Sequence, residues 1–260
     1  MNNEQNKFVV YTAVFGDYDS LREPSIKDCK CDFICFTDQH FESDTWIIVR
    51  VEKKEFSDFL MNRLYKFLPH KFFREYEFSL YVDGNITINS CPYQFIQELE
   101  FSDCAMPEHK NRESVYQELI ACYAVGKITL EQAINHYDFL KLENYPLDNG
   151  LTENNIILRR HNSDSVIRWG EGVWNGLLTK INRDQLLAQY CFLKHNCVYS
   201  FLSENCWSLG ESFSFSPHKN YLRISIHQKI LRKVKYFLKI WFLRSLLIFR
   251  CKFTCKKCLM

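Results

Sequence analysis

The chain has 260 residues, of which 47% are hydrophobic and 16% aromatic, with only 8 Gly and 6 Pro. This composition excludes a disordered or collagen-like chain and is typical of a folded protein with a sizeable core. The net charge of +2 is unevenly distributed, because no Asp or Glu follows Glu211 while twelve Lys and Arg do. The first 211 residues therefore carry a net charge of −10, the difference between +2 and +12. We expect an acidic body, residues 1–211, and a basic tail, residues 212–260.

The 12 cysteines have no spacing typical of a disulfide framework. No apolar signal sequence opens the chain, since Met1–Lys7 is polar, so we expect a cytosolic protein with mostly reduced thiols. The pair Cys29-x-Cys31 and the trio Cys251, Cys255 and Cys258 are candidate metal ligands. A structural zinc ion takes four ligands, and neither group has a partner set nearby in the sequence. We therefore interpret both groups as free thiols.

The first part of the sequence alternates β-rich runs with polar turns. Phe8–Val14, Cys31–Thr37 and Trp46–Val51 predict three strands, the first followed by a turn that contains Gly16 and the second by Asp38. The carboxyl ends of strands face the ligand in α/β nucleotide-binding domains. Asp38 is therefore a candidate ligand of the base or ribose, with a simple strand-ending cap as the alternative.

The stretch Ser79–Ile88, SLYVDGNITI, is the candidate centre of the site. It predicts a buried strand that ends in Asp83-Gly84-Asn85. Asp-Gly is also a common turn dipeptide, so a hairpin is the alternative. In the functional interpretation, Asp83 and Asn85 are oxygen ligands of a divalent cation that carries substrate phosphates, and Gly84 lets a ligand approach the backbone.

Two predicted helices bring further charged side chains toward this stretch. Asp58–Leu68 has helical apolar spacing, and Arg63 and Lys66, three residues apart, share one side of it. These two cations are candidate diphosphate ligands, with a solvated helix face as the alternative. Further along, Ser114 or Asn111 is the predicted cap of a second helix.

Later segments supply the remaining candidates. Thr129 is the predicted N-cap of a third helix, with Gln132 at the capping-box position. The segment Gly150–Asn155 reads as a polar turn before a strand that leads to His161. Asp184 and Gln185 precede a further apolar helix.

Seven motifs carry a resemblance to a known family. They are YTAVFGDYD (11–19), DFICFTD (32–38) followed by Trp46, NRLYKFLPH (62–70), SLYVDGNI (79–86), EHKNRESVYQE (108–118), GLTENNIILRRHN (150–162) and NRDQL (182–186). In this order they resemble a bacterial glycosyltransferase-like family. Its plant relatives are membrane-anchored proteins linked to mucilage and pectin assembly, and one of them has been assigned as an alkaline ceramidase. The resemblance covers residues 8–195.

The resemblance implies a GT-A-like α/β domain, with a central mixed sheet flanked by helices, that binds a nucleotide sugar through Mn2+ or Mg2+. Asp83 and Asn85 occupy the position of the acidic metal motif, where the amide of Asn85 removes one formal charge. His161 or His218 is the implied further metal ligand. The implied donor-binding residues are Thr12, Asp38, Arg63, Lys66, Asp83, Asn85, His109, Arg112 and Gln185. The implied catalytic carboxylates are Asp184 and Glu153, with Glu171 and Glu118 as second choices.

The implied activity is transfer of a sugar from a nucleotide donor to a glycan or lipid-linked acceptor in surface polysaccharide synthesis. The departing diphosphate needs cations, and the acceptor hydroxyl needs a carboxylate base if the reaction inverts. Two alternatives stay open. One is a membrane-lipid amide hydrolase that uses a metal-bound water, and the other is an inactive nucleotide-sugar-binding module.

The tail predicts a basic amphipathic helix over Ile224–Phe253. Its most apolar run, Tyr236–Phe249, is too short to span a bilayer, which needs about 20 residues. Such a helix lies in the interface of an anionic membrane, where each basic residue contributes about 1 kcal/mol. We therefore expect a cytoplasmic protein that is peripheral at the inner face of the plasma membrane. Packing of the helix on the body or on another subunit is the alternative. An acidic body argues against a nucleic-acid partner.

Overall fold

The computed structural model describes residues 8–17, 19–26, 29–52, 55–207, 212–217 and 226–257. His218 lies outside these ranges, as do the side chains of Cys251, Cys255 and Cys258, so the predictions made for them fall outside the described residues.

The described chain alternates strands and helices. The strands are β1 Phe8–Val14, β2 Asp32–Thr37, β3 Ile47–Arg50, β4 Phe78–Val82, β5 Ile86–Ile88, β6 Cys104–Met106, β7 Ile156–Arg159, β8 Tyr199–Phe201 and β9 Phe213–Phe215. The α-helices are α1 Asp58–Phe67, α2 Val115–Ala124, α3 Leu130–Leu142, α4 Asp164–Thr179, α5 Ala188–Lys194 and α6 Ile226–Lys257. Short 3-10 turns cover Pro69–Lys71, Pro92–Leu99 and Asp184–Leu186.

The central sheet has seven strands in the order β3-β2-β1-β4-β7-β6-β8. Strands β3, β2, β1 and β4 lie side by side in that order and are parallel. Strand β7 runs antiparallel to both β4 and β6. The predicted α/β class with a mixed sheet is confirmed.

Both faces of the sheet are covered, because alternate residues of β1 enter different cores. Val9, Tyr11 and Ala13 pack in the core formed with the helices α1 to α5. Phe8 and Val10 pack on the opposite face with the 92–99 turn. A strand buried on both faces reads as a continuous apolar run, which is the pattern of FVVYTAV.

Strand β5 leaves the central sheet, so the hairpin alternative at Asp83-Gly84 is wrong. Its partner is β9, with Ile86 opposite Phe215 and Ile88 opposite Phe213. Residues 213–215 thus belong to the body, and the domain boundary expected at residue 211 lies too early.

Helix α1 is held closely from two sides. Arg159 on β7, fully buried, donates to the carbonyl oxygen of Lys66 at 2.5 Å. A Cβ on Gly170 of α4 would lie 2.1 Å from the carbonyl oxygen of Phe67, so only glycine permits this approach. These contacts fix the end of α1 that carries the predicted cations.

The predicted helix starts are confirmed at two positions. Ser114 is the N-cap of α2, where its side chain accepts a hydrogen bond from the Gln117 amide. Thr129 and Gln132 form the capping box of α3.

The predicted tail helix is also confirmed, as α6. It packs against α2, where Leu243 and Leu247 are buried and the Lys239 ammonium lies 5.3 Å from the centre of the Tyr123 ring. None of the described helices has the length and apolar content that a bilayer crossing requires.

One cysteine expectation is wrong. Cys29 is joined to Cys91 by a disulfide bond across a sequence separation of 62 residues. Sequence spacing around Cys29 gave no sign of this pairing, because the 88–91 segment reaches it only through the fold.

Candidate active site

The candidate site lies at one edge of the central sheet. The carboxyl ends of the parallel strands β1, β2 and β4 meet there, and because β7 is antiparallel to β4, its amino end meets them. The amide of Asp83, just after β4, donates to the carbonyl oxygen of Asn155, just before β7, at 2.9 Å. This edge therefore gathers loops that are distant in sequence.

Asp83 stands at the centre of this edge. Its Oδ1 accepts hydrogen bonds from the Lys66 ammonium at 3.1 Å and from the Tyr81 hydroxyl at 2.8 Å. A Cβ on Gly84 would lie 2.6 Å from Cγ2 of Val14, so glycine is required where this loop crosses β1.

Lys66 links two carboxylates. Its side chain is 1% exposed, and its Nζ lies 3.1 Å from Asp83 Oδ1 and 3.4 Å from Asp184 Oδ2. Arg63, one turn earlier, reaches Asp184 Oδ1 at 3.4 Å. The i,i+3 spacing recognised in the sequence thus places both cations on the side of α1 that faces the site.

Asp184 is held ionised by its neighbours. Burial alone would raise its pKa, but Arg63 and Lys66, together with Arg183 and a hydrogen bond from Asn154, hold the pKa far below the usual range of a carboxyl group. A carboxylate with so low a proton affinity is a weak general base. Its position suits it to fix the two cations of α1.

Two cavities open at this edge, with volumes of about 510 and 520 Å³. The first is lined by Arg63, Lys66, Asp83, His109, Lys110, Asn111, Arg112, Glu118, Lys127, Glu153, Asn154, Asn155, Arg183, Asp184, Gln185 and Trp207. The second is lined by Ala13, Val14, Phe15, Gly16, Asp17, Asp19, Asp58, Phe59, Asn62, Arg63, Asp83, Gly84, Lys127 and Arg183. We call them the polar cavity and the β1 cavity.

The two cavities share four lining residues, the cations Arg63, Lys127 and Arg183 and the carboxylate of Asp83, and we call the three cations the cationic junction. The buried Nε atoms of Arg63 and Arg183 have no hydrogen-bond partner. The pKa of Lys127 is lowered by desolvation and by the adjacent Arg183. Clustered cations with unused donors are the environment in which an anion with several oxygens binds.

Glu153 is the second predicted catalytic carboxylate, and it lines the polar cavity. It is 8% exposed, and its Oε2 accepts hydrogen bonds from the indole N–H of Trp207 and, at 3.1 Å, from Asn155. It has no salt bridge among the described residues. Of the two predicted catalytic carboxylates, Glu153 is therefore the one without a bound cation.

The predicted donor ligands His109 and Arg112, in the loop after β6, also line the polar cavity. The Arg112 guanidinium pairs with Glu118 and lies 2.8 Å from His109 Nε2. Burial, followed by Arg112, lowers the pKa of His109. Gln185 reaches the cavity as well, while its side-chain amide donates to the carbonyl oxygen of Thr152.

Three predicted donor ligands do not line either cavity. Thr12 is buried within β1. Asp38 accepts a hydrogen bond from the Gly16 amide at 3.0 Å, which is the strand-ending cap given above as its alternative. The Asn85 side chain donates to the carbonyl oxygen of Ser216 at 3.1 Å, because the pairing of β5 with β9 turns it away from the site.

His161 as a metal ligand is wrong. It follows β7 at the opposite edge of the sheet, because Val82 pairs with Ile156 and Ser79 with Arg159. This places it on the order of 20 Å from Asp83 at the rise of an extended chain. Its Nε2 is hydrogen-bonded to the carbonyl oxygen of Phe73 at 2.7 Å. Burial lowers the pKa of His161 to about 4, as expected of a neutral histidine in a protein core.

The predicted ligand set therefore does not fit Mn2+ or Mg2+. Of Asp83, Asn85 and His161, only Asp83 lines a cavity, and its Oδ1 is already bonded to Lys66 and Tyr81. Among the described residues, the acids of this site form no group of three ligands around a common point.

The sequence reasoning missed Lys127, Arg183 and Trp207 as members of the site. Arg183 directly precedes Asp184 in the NRDQL motif. Lys127 follows Gly126, whose left-handed backbone conformation (φ 79°) ends α2 and turns the chain back toward the site. Glu171, a further predicted catalytic carboxylate, lies outside both cavities. Its Oε1 is 3.8 Å from Nε2 of His70.

The fold and its cavities define an α/β protein with a cationic cleft at one edge of a mixed sheet. The chain belongs to the family described as TOD1/MUCI70, glycosyltransferase-like domain, whose model matches residues 36–209. The resemblance read from the seven motifs and the predicted glycosyltransferase class are thereby confirmed.

One relative is the probable hexosyltransferase MUCI70 of Arabidopsis thaliana, which is 27% identical over 184 residues. The match covers 59% of this chain and 32% of the relative, so the chain spans about a third of that protein's length.

Two solved structures of glycosyltransferases are also similar. The bifunctional glycosyltransferase WbbM matches with a TM-score of 0.48 and 11% identity, over 77% of this chain and 39% of its own. Mouse xyloside xylosyltransferase 1 matches with a TM-score of 0.40 and 8% identity, over 75% of this chain and 84% of its own.

The ion pairs of Asp184 predict a specific pH dependence of stability. Because its pKa is lower in the folded than in the unfolded chain, the charged carboxyl stabilises the fold above about pH 4 and loses this effect as the pH falls further. Asp184→Asn leaves buried cations without their partner and should lower the free energy of unfolding at pH 7 by about 3 kcal/mol.

Urea unfolding between pH 7 and pH 3 tests this prediction. The difference between Asp184→Asn and the unaltered protein should shrink below about pH 4. Glu77→Gln, which removes one partner of the exposed pair with Arg160, is the control and should change stability little. A difference that stays constant across the pH range would contradict the role given to Asp184.

Proposed function

We propose that the protein transfers a hexosyl group from a nucleoside diphosphate sugar to a hydroxyl group of a glycan or lipid-linked acceptor in surface polysaccharide synthesis. The observation that carries this proposal is the cationic junction of Arg63, Lys127 and Arg183, where the two cavities meet. A diphosphate placed there offsets the positive charge of these three side chains. Its two ends then extend into different cavities.

The β1 cavity suits the nucleoside. Phe15 and Phe59 give it apolar walls, and Asp17, Asp19 and Asp58 offer acceptors for ribose hydroxyls. The polar cavity suits the sugar and the acceptor, because Glu153, Asn154 and Gln185 present carboxylate and amide groups that hydroxyls recognise. The exposed ring of Trp207 adds a flat apolar surface of the kind on which a sugar ring packs.

The cations of the chain stabilise the leaving group in this mechanism. As the bond between the sugar and the diphosphate breaks, negative charge grows on the phosphate oxygens, and fixed cations placed beforehand stabilise it without reorganisation. Arg63 and Lys66 are held by Asp184, so their positions do not depend on the bound donor.

Glu153 is the proposed base. It accepts the proton of the acceptor hydroxyl as that oxygen attacks the anomeric carbon, while Trp207 and Asn155 hold the carboxylate in place. Asp184 is the weaker candidate, because its ion pairs stabilise its charged form. No observation on the described residues favours the amide-hydrolase alternative.

Nucleotide binding tests the cationic junction. In thermal-shift titrations with UDP, GDP, CMP and their sugar conjugates, one nucleotide should stabilise the protein. Arg183→Ala and Lys127→Ala should each weaken that binding about tenfold or more, because a charge-assisted hydrogen bond to phosphate is lost. Arg160→Ala, at the opposite edge of the sheet, is the matched control and should leave affinity unchanged.

The same titration decides between side-chain cations and a metal. A Mn2+ or Mg2+ ion at Asp83 is the competing proposal for neutralising the diphosphate. We expect affinity to be similar in EDTA and in Mn2+. Binding that requires Mn2+, and is lost in Asp83→Ala but kept in Arg183→Ala, would favour the ion instead.

Turnover tests the assignment of the base. Glu153→Gln keeps the size of the side chain but cannot take a proton, so release of nucleoside diphosphate from the bound donor should fall about 100-fold or more. Nucleotide affinity should stay within about twofold, since Glu153 does not line the junction. Glu113→Gln, exposed on the neighbouring loop, is the control. Unchanged release in Glu153→Gln would refute the assignment, and binding without release in the unaltered protein would favour the inactive-module alternative.

We also propose that α6 lies in the surface of an anionic membrane. Residues Ile230, Leu231, Val234, Phe237, Leu238, Trp241, Phe242 and Ile248 are all exposed. At 3.6 residues per turn they fall within an arc of about 140°, opposite the buried Leu243 and Leu247. The helix thus presents one apolar face to the body and a second, wider one to the outside.

Charge supports lipid as the occupant of the outer face. Lys233 and Arg244 border it on one side and Lys235 on the other, and all three are exposed. This is the arrangement of a helix whose apolar face enters the acyl region while its basic flanks meet anionic headgroups. Because α6 packs on α2, which carries Glu118 of the polar cavity, such attachment brings a lipid-linked acceptor close to the site.

Vesicle sedimentation tests the membrane proposal. The unaltered protein should sediment with phosphatidylglycerol vesicles and less with phosphatidylcholine ones. Phe237→Glu with Trp241→Glu should weaken binding at least about tenfold, because two large apolar side chains no longer enter the lipid. Both are more than 60% exposed, so the melting temperature should hardly change. Phe101→Glu, an exposed phenylalanine outside α6, is the matched control, and retained binding by the double variant would reject the proposal.

A further inference from the structure

Three cysteines converge on the side of the sheet away from α1 to α5. Cys29 and Cys31 lie just before β2, and Cys91 directly precedes the 92–99 turn. Their Sγ atoms all lie within 4.8 Å of one another. Cys29 and Cys91 form the disulfide described above, while Cys31 is a free thiol whose Sγ lies 3.4 Å from that of Cys29.

The disulfide accounts for two of the three sulfur atoms. The third is not placed there by packing alone, because the backbone N–H of Tyr93 donates a hydrogen bond to Cys31 Sγ. An N–H group aimed at sulfur favours the thiolate. Burial, followed by the nearby Asp32 carboxylate, raises the pKa of the Cys31 thiol, so this hydrogen bond offsets only part of the cost of the charged form.

This spacing suits a soft metal ion. A tetrahedral zinc ion with Zn–S bonds of about 2.3 Å holds its sulfur ligands about 3.8 Å apart. The three Sγ atoms lie within 4.8 Å of one another. Small side-chain movements therefore bring them to the zinc-site spacing once the disulfide is reduced. Cys31 is buried and Cys29 and Cys91 are half-buried, so the solvent side offers room for a fourth ligand.

We propose that the reduced protein binds one Zn2+ ion through the thiolates of Cys29, Cys31 and Cys91, with a solvent molecule as fourth ligand. A dithiol reductant first gives the Cys29–Cys91 disulfide two electrons and two protons and becomes a disulfide itself. The ion then replaces the protons of the three thiols, which are released to solvent. No other group changes oxidation state.

Such an ion braces a segment that leads from the site. The chain between Asp19 and Cys31 is attached to the 88–91 segment by a hydrogen bond from the Ser25 amide to the Ile88 carbonyl at 2.8 Å. At its other end, Asp19 lines the β1 cavity. The cluster thus joins the segment after Asp19 to the start of the 92–99 turn. It does so both as a disulfide and as a zinc site.

Cobalt spectroscopy tests the proposal. The test uses the full-length chain with Cys251, Cys255 and Cys258 changed to Ser, so that thiols of the tail do not compete. After reduction and removal of the reductant, titration with Co2+ should give a sulfur-to-cobalt charge-transfer band and the visible bands of a tetrahedral site, saturating at one equivalent. Addition of Zn2+ should abolish both.

Single substitutions locate the site. Cys31→Ser should weaken Co2+ and Zn2+ binding at least about tenfold, although it leaves the Cys29–Cys91 pair intact. Cys206→Ser, a buried free cysteine outside the cluster, is the matched control and should bind as the parent does. Because Cys31 is not part of the disulfide, this variant separates a metal site from a simple cross-link.

Two results would overturn the proposal. One is the absence of a thiolate-to-cobalt band in fully reduced protein. The other is a band of equal strength and affinity in Cys31→Ser. Neither result bears on the transferase proposal, since none of the three cysteines lines either cavity.

Discussion

The site depends on the burial of one ammonium group. Lys66 is 1% exposed, and a buried cation is tolerated only where anions and hydrogen-bond acceptors surround it. Asp83 and Asp184 supply that surrounding, one from the end of β4 and the other from the turn after α4. Three segments far apart in sequence must therefore meet before any of their charges is satisfied. Arg159 and Gly170 set the position of α1 at which this meeting occurs.

The reversal of β7 determines which residues share the site. In a fully parallel sheet, the carboxyl end of this strand would lie beside Asp83 and would bring His161 with it. Because β7 is antiparallel to β4, its amino end lies there instead, and Glu153, Asn154 and Asn155 reach the cavity while His161 enters the core. One strand direction thus places a carboxylate and two amides, rather than a histidine, beside Asp83.

The sequence predicted the local parts of this arrangement and missed those that depend on distant partners. The strand before Asp83 and the shared face of Arg63 and Lys66 follow from residue periodicity, which acts over a few residues. Asn85 departs from its predicted role because β5 pairs with β9, more than 120 residues later, and that pairing turns its side chain toward Ser216. Cys91 was not associated with Cys29 for the same reason. Lys127 and Arg183 come from loops whose positions only the packing of α2 and α4 determines.

Two carboxylates at one cavity then acquire different tasks from their surroundings. Asp184 is bound by two cations, so its charge is fixed and its proton affinity is too low to assist an attacking hydroxyl. Glu153 is buried and accepts hydrogen bonds from neutral donors, namely the Trp207 indole, the Asn155 amide and the Lys110 backbone N–H, and it forms no salt bridge among the described residues. Different environments separate the behaviour of like groups, and this difference is the basis of the separate roles proposed for Asp184 and Glu153. The difference between the two residues therefore follows from the placement of Arg63 and Lys66, which pair with Asp184 and form no salt bridge with Glu153.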